Sequence, residues 1–368
     1  MTRCPGFIAR LAAICAVLVL AGCAPDTDAA ARQQGIGTAR AATATGVAPR
    51  LDDDLFIAAD GVSLPLKVWL PPGAEPKAVI LALHGFNDYR NAFAIPAKLW
   101  AENGIATYAY DQRGFGASPD RTLWPGRAPL AADAATAARL LRQRYPGIPL
   151  YLLGESMGGA VAIIAETGES GTPRPDVDGV ILGAPAVWGY ETMNLPERIG
   201  LWAMVRLFPS ATFTGNQLRI VACDNNAVLR AMARDPLIIK ATRVDAVYGL
   251  VNLMTAALDA APKLRTPLLL QYGAHDQIIP PDPVRLFVGG LPAVRDTSPG
   301  TTPRLAYYPH GYHMLYRDLD GATVARDVAS WVLDRTAPLP SREDAAENAR
   351  PWPPTQSSTP APTPAHSG

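Results

Sequence analysis

Ser156 stands in the run Gly154-Glu155-Ser156-Met157-Gly158-Gly159, with a glycine two residues away on either side. That spacing suits a sharp strand-to-helix turn that exposes a serine hydroxyl, because the strained backbone leaves no room for side chains at the two flanking positions. A serine presented this way can attack a carbonyl carbon if a base takes its proton and an acid orients the base. Five histidines are available as the base: His84, His275, His310, His313 and His366. Glycine and serine are common enough that the three-position pattern alone also arises by chance, so the elements around it decide.

The run IPLYLLG (148–154) reads as a strand and AVAIIAE (160–166) as a helix, which places Ser156 on the required turn. Further apolar runs predict strands at 78–85, 105–111, 177–185, 266–273 and 303–309, and helical patterns fall at roughly 92–103, 130–145, 157–167 and 321–334. Alternation of this kind predicts βαβ units. The fold class is α/β, with a mostly parallel central sheet covered by helices on both faces. From 187 to 245 the rhythm breaks into helical patterns, expected as a cap inserted between two sheet strands. There Leu201, Met204, Val205 and Phe208 recur at i, i+3, i+4 and i+7, with Trp188 and Trp202 close by. Two uses of that stripe stay open: packing the cap onto the core, or lining a pocket for an acyl chain.

In α/β-hydrolase architecture the chain order is serine, acid, histidine. His313, in HGYHMLYRD after the last strand, is the expected base, and His310 is its rival. Asp276 is the first carboxylate of the loop AHDQIIPP after strand 266–273 and is the expected acid; Asp282, six residues on, is expected to cap the next helix. The oxyanion donors would be the backbone N–H groups of Met157 and of Phe86, the latter in the HGFNDY loop. His84 in that loop is expected to be structural. No metal or cofactor is expected, since no group of ligands shows the usual spacing.

The 33 basic and 33 acidic side chains give no net charge, which excludes a basic field for nucleic acid. At the N-terminus, Arg3 and Arg10 flank and precede the apolar run LAAICAVLVLA (11–21), too short to span a bilayer. It ends on Leu20-Ala21-Gly22-Cys23, which resembles the lipobox of bacterial lipoproteins. The resemblance implies a signal peptide over 1–22, lipid on Cys23 and a place in the cell envelope, anchored to a membrane; an ordinary secretory signal is the competing reading. Residues 23–50 are expected to be a flexible tether, 51–335 the hydrolase domain and 336–368 a Pro-rich disordered tail. Cys223 alone remains in the folded part, as a buried or inert thiol.

HGF (84–86), YDQRGFGAS (110–118), GESMGG (154–159), GAHDQIIP (273–280) and YHMLYRD (312–318) resemble, in that order, motifs of the monoacylglycerol lipase and lysophospholipase group of α/β-hydrolases. They also resemble those of serine peptidases of the prolyl aminopeptidase type. The resemblance covers about residues 55–335. It implies a lipid ester as substrate, Ser156, Asp276 and His313 as the triad, and Phe86 and Met157 as oxyanion donors. It also implies that Asp111 and Arg113 belong to a structural turn. Peptidase or amidase activity, and lipid binding without turnover, are the alternatives, and nothing in the chain points to an oligomeric state.

Overall fold

Nine strands form one sheet in a computed structural model of the chain, which describes residues 47–73, 75–169, 171–214, 220–292, 303–344 and 352–354. The strands are β1 (Arg50–Leu51), β2 (Leu55–Ile57), β3 (Ser63–Trp69), β4 (Ala78–Leu83), β5 (Ile105–Tyr110), β6 (Leu150–Glu155), β7 (Gly179–Gly183), β10 (Leu268–Gly273) and β11 (Arg304–Tyr308). Their order is β1-β2-β3-β5-β4-β6-β7-β10-β11. From β5 to β11 every pair is parallel, and β1 to β3 add an antiparallel edge. Every residue of β4, β5, β6 and β10 is buried, which explains their continuous apolar sequences: both faces of the sheet are covered.

On one face lie α2 (Arg127–Arg144), α3 (Met157–Thr167), α6 (Val244–Ala260) and α7 (Pro281–Gly290), sharing a core with Val79, Leu81, Leu152 and Leu270. On the other lie α1 (Pro96–Glu102) and α8 (Gly321–Leu333), whose Trp100 and Val328 close over Ile80, Leu153 and Leu269. The chain order of neighbouring strands reverses at β4, which lies between β5 and β6. The carboxyl ends of β4 and β6 therefore flank a topological switch point, the usual place for a ligand crevice in an open α/β sheet.

Between β7 and β10 the chain forms α4 (Leu195–Leu207), the short antiparallel pair β8 (Thr212–Phe213) and β9 (Thr242–Arg243), α5 (Asn226–Arg234) and α6. A capping box starts α4: the Asn194 side chain takes the Glu197 N–H while Glu197 takes that of Asn194. The helical region runs past 245, because α6 continues to Ala260 and packs against α3. The expected stripe on α4 divides. Val205 is fully buried and Leu201 packs against the core, whereas Met204 and Phe208 are 43% and 56% exposed, so only the Leu201 and Val205 half of the stripe seats the helix.

Two boundaries differ from expectation. Arg50, placed in the tether, pairs with Ile57 in β1. The tail is not uniformly loose: Leu339 and Trp352 are buried, Arg304 pairs with Asp344, Tyr307 donates its N–H to the Glu343 carbonyl, and Arg285 donates to the carbonyls of Pro353 and Pro354. Composition misses this because one indole and a few backbone contacts suffice to dock a polar segment. The expected signal peptide, Cys23 and most of the expected tether lie outside the described residues, as do 355–368.

Candidate active site

The turn after β6 holds Ser156 at φ 54°, ψ −118°, a left-handed conformation rare for a residue with a side chain. Close contacts impose it. A Cβ on Gly154 would stand 2.2 Å from the Gly158 carbonyl oxygen, and one on Gly158 would stand 2.0 Å from that of Leu83 in β4. Hydrogen bonds secure the turn from β7: the Ser156 N–H donates to the Gly183 carbonyl, and the Ala186 N–H to that of Ser156, each at 2.9 Å. The hydroxyl consequently projects at the switch point, beside the N-terminus of α3.

His313, in the loop between β11 and α8, lies with Nε2 2.9 Å from Ser156 Oγ and Nδ1 2.8 Å from Asp276 Oδ2. The other Asp276 oxygen takes the N–H groups of Ile278 and Ile279 at 2.8 and 2.9 Å, which fixes the carboxylate against the ring. Asp276 must accept from Nδ1–H, leaving Nε2 to accept the serine proton. Burial acts to lower the His313 pKa, but the charge and hydrogen bond of Asp276, helped by Glu155, outweigh it and hold it above the ordinary imidazole value. His310 is exposed in the turn before and takes no part. Asp282 lies in the first turn of α7, pairs with Arg285 and makes no cap; Pro280 holds the cap position.

The oxyanion candidates flank the hydroxyl. Met157 is the first residue of α3, where an N–H has no partner within its own helix, and the helix dipole adds to its pull on negative charge. Gly85, just before Phe86, lies close enough that a Cβ there would touch Ser156 Cβ at 3.4 Å. The Phe86 ring is held edge-on to Phe115 at 5.5 Å. Asn87, at φ 64°, donates to Thr242 Oγ1 at 2.7 Å and accepts the Ile239 N–H at 2.9 Å, tying this loop to the cap. His84 is structural: Nε2 accepts the Gln112 N–H at 3.0 Å, so Nδ1 donates to the Gly85 carbonyl at 2.8 Å, and burial lowers its pKa. Asp111 and Arg113 also hold the frame. Asp111 accepts the N–H groups of Arg90 and Ala117, and Arg113 is bidentate to both Asp60 and Asp133.

A set of ionic residues beside the relay escaped the sequence reading. Arg317 donates to Asp88 Oδ2 at 2.6 Å and to Glu155 Oε2 at 3.0 Å, joining the HGFND loop, the residue before Ser156 and the His313 loop through one buried guanidinium. Burial raises the Glu155 pKa and Arg317 opposes it. Both acids sit in quoted motifs, but only the fold brings them to Arg317. Above the relay opens a cavity of ≈ 430 Å³ whose wall is mostly apolar, including Trp188, Met193, Met232, Leu250, Val251 and Met254. Cap segments and α6 supply that wall; none of the four stripe residues of α4 contributes.

Sheet order, elbow and relay define an α/β-hydrolase with a Ser-His-Asp arrangement. The chain belongs to the serine aminopeptidase S33 family, whose model matches residues 74–320. It is 26% identical to the monoglyceride lipase of Homo sapiens over 293 residues, 78% of this chain and 93% of that protein. The monoacylglycerol lipase of Mycolicibacterium smegmatis is 24% identical over 291 residues, 76% and 95% of the two chains. The crystal structure of Paleococcus ferrophilus monoacylglycerol lipase shares the fold, with a TM-score of 0.60 at 20% identity over 74% of this chain and 99% of the other.

Proposed function

We propose that this protein is a serine hydrolase that cleaves carboxylic esters of lipids, such as monoacylglycerols or lysophospholipids, through an acyl-enzyme. The observation that carries the reading is the Ser156–His313 contact of 2.9 Å opening directly into an apolar cavity of ≈ 430 Å³. Ser156 Oγ attacks the ester carbonyl as its proton passes to His313 Nε2, and Asp276 steadies the imidazolium. The N–H groups of Phe86 and Met157 receive the oxyanion, each supplying about 3 kcal/mol in comparable sites. His313 then protonates the leaving alcohol, and water repeats the sequence to release the acid. The relatives named monoglyceride and monoacylglycerol lipase agree with this chemistry.

A peptidase of this family would need a free carboxylate for a substrate ammonium. Asp88 and Glu155 are the carboxylates that line the cavity among the described residues, and both are ion-paired with Arg317, so neither is free to take a substrate ammonium. Elsewhere in the cap, Glu197 is taken by the α4 capping box, Asp235 accepts from Tyr89 and Asp224 from the Leu319 N–H. The site thus favours an uncharged acyl group. Under the same proposal Cys23 carries lipid and residues 24–49 hold the hydrolase near a membrane of the cell envelope, an arrangement suited to substrates that live in bilayers.

The deciding experiment is a panel of p-nitrophenyl esters from about two to about sixteen carbons beside monoacylglycerols and proline and alanine anilides. Each methylene buried contributes about 0.8 kcal/mol, so kcat/KM should climb with chain length until the cavity is full. Faster turnover of an anilide than of every ester would promote the peptidase reading, and no labelling by a fluorophosphonate would leave only binding.

A further inference from the structure

Away from the catalytic relay, three donor atoms meet where the cap touches the loop after β11. Cys223 Sγ and one carboxylate oxygen each of Asp224 and Asp318 lie within 4.8 Å of one another. Backbone groups hold each side chain in place. The Asn225 N–H donates to Sγ at 3.3 Å, the Leu319 N–H to Asp224 Oδ1 at 2.8 Å, and the Tyr312 N–H to Asp318 Oδ2 at 2.7 Å. Cys223 is 1% exposed and Asp318 6%; Asp318 Oδ1 is fully buried, and the side-chain donor beside this carboxylate is the weak Cys223 thiol. A carboxylate at that depth beside only a weak thiol donor is poorly compensated, and a cation in place of the thiol proton would satisfy both groups. No lysine or arginine supplies one: the nearby Arg317 guanidinium is committed to Asp88 and Glu155.

We propose that Cys223, Asp224 and Asp318 form a binding site for a thiophilic divalent cation, with zinc as the natural type. One sulfur and two carboxylate oxygens on orienting backbone donors suit a tetrahedral ion that keeps water in its fourth position, whereas calcium and magnesium take oxygen ligands. An ordinary cysteine thiol carries its proton at neutral pH. Binding forms the S–metal bond as the S–H proton leaves to solvent, with no change of oxidation state, so affinity must rise with pH. Asp224, only partly buried, marks the entry side. An ion held there joins the cap segment around Ala222, whose carbonyl already accepts the Met314 N–H at 3.0 Å, to the loop that carries His313.

The test is a cadmium titration of the full chain, followed by the ultraviolet charge-transfer band of cadmium thiolate. Because the chain has four cysteines, the band is read as the difference between wild type and Cys223→Ser. The expected result is a single Cys223-dependent equivalent, displaced by zinc, tighter at higher pH and weakened at least about tenfold in Asp318→Asn and in Asp224→Asn. Absence of a Cys223-dependent band overturns the proposal. So does cadmium affinity unchanged in both aspartate variants, which would reduce the feature to an isolated thiol. Near-ultraviolet circular dichroism reports whether Cys223→Ser is folded, and Cys223→Ala replaces it if not.

Discussion

Glu155 and Arg317 meet at 3.0 Å, so the residue immediately before Ser156 is bonded to one four positions beyond His313. The same guanidinium reaches Asp88, two residues after Phe86. The Ser156 turn, the His313 loop and the Phe86 loop are thus held by a single buried cation. Arg317→Met strands two buried carboxylates, and removing one partner of such a cluster costs about 3–5 kcal/mol. Urea denaturation should show that loss. The triple variant Arg317→Met, Asp88→Asn, Glu155→Gln should regain most of it, and a single Arg317→Met as stable as wild type would refute the clamp.

Ser156→Ala, His313→Ala and Asp276→Asn are each expected to lower kcat for a p-nitrophenyl ester by about 10⁴-fold or more without changing the circular dichroism spectrum. His310→Ala should stay near wild type, since its side chain is exposed and outside the relay. The reverse pattern between the two histidines would reassign the base.

A protonated His313 cannot accept the serine proton. With its pKa held above the ordinary imidazole value, the acid limb of kcat/KM should fall above that value too, activity being lost as pH drops through it. Glu155 contributes to the rise, so Glu155→Gln should move the limb to lower pH, and Asp276→Asn should do so while also slowing turnover. A pH–rate profile of Glu155→Gln that stays put or moves upward contradicts this account.

Trp352 lies in the tail yet is only 2% exposed, against the ring of Tyr272. Trp352→Ala should destabilise the protein by about 3–5 kcal/mol, the range for buried aromatic truncation. Thermal unfolding of that variant, beside a chain ending at 344, measures it; no drop in Tm in either would show that the tail contributes nothing.

Strands with continuous apolar sequences, such as Ala78–Leu83 and Leu150–Glu155, were legible because burial on both faces leaves no polar alternation to confuse. Arg50–Leu51 and Leu55–Ile57 were not, being too short to display any period. Ser156, Asp276 and His313 could be picked from motif and chain order, and the fold brings the three together. The Arg317 clamp was invisible, since its partners lie 162 and 229 residues away and nothing local pairs them. Periodicity showed that α4 has an apolar face but not what that face meets, which is why the cavity wall came instead from Met193, Met232 and α6.

Asn87 holds its left-handed backbone with one bond to Thr242 and another from Ile239, both on the cap side of the cleft. The cap is consequently not an interchangeable module. A chimera that transplants a relative's entire insertion between β7 and β10 would discard the two tethers that set the residue next to Phe86, and would damage chemistry while altering only selectivity on paper. The productive seam for such grafts lies before Ile239, leaving 239–242 with the hydrolase half.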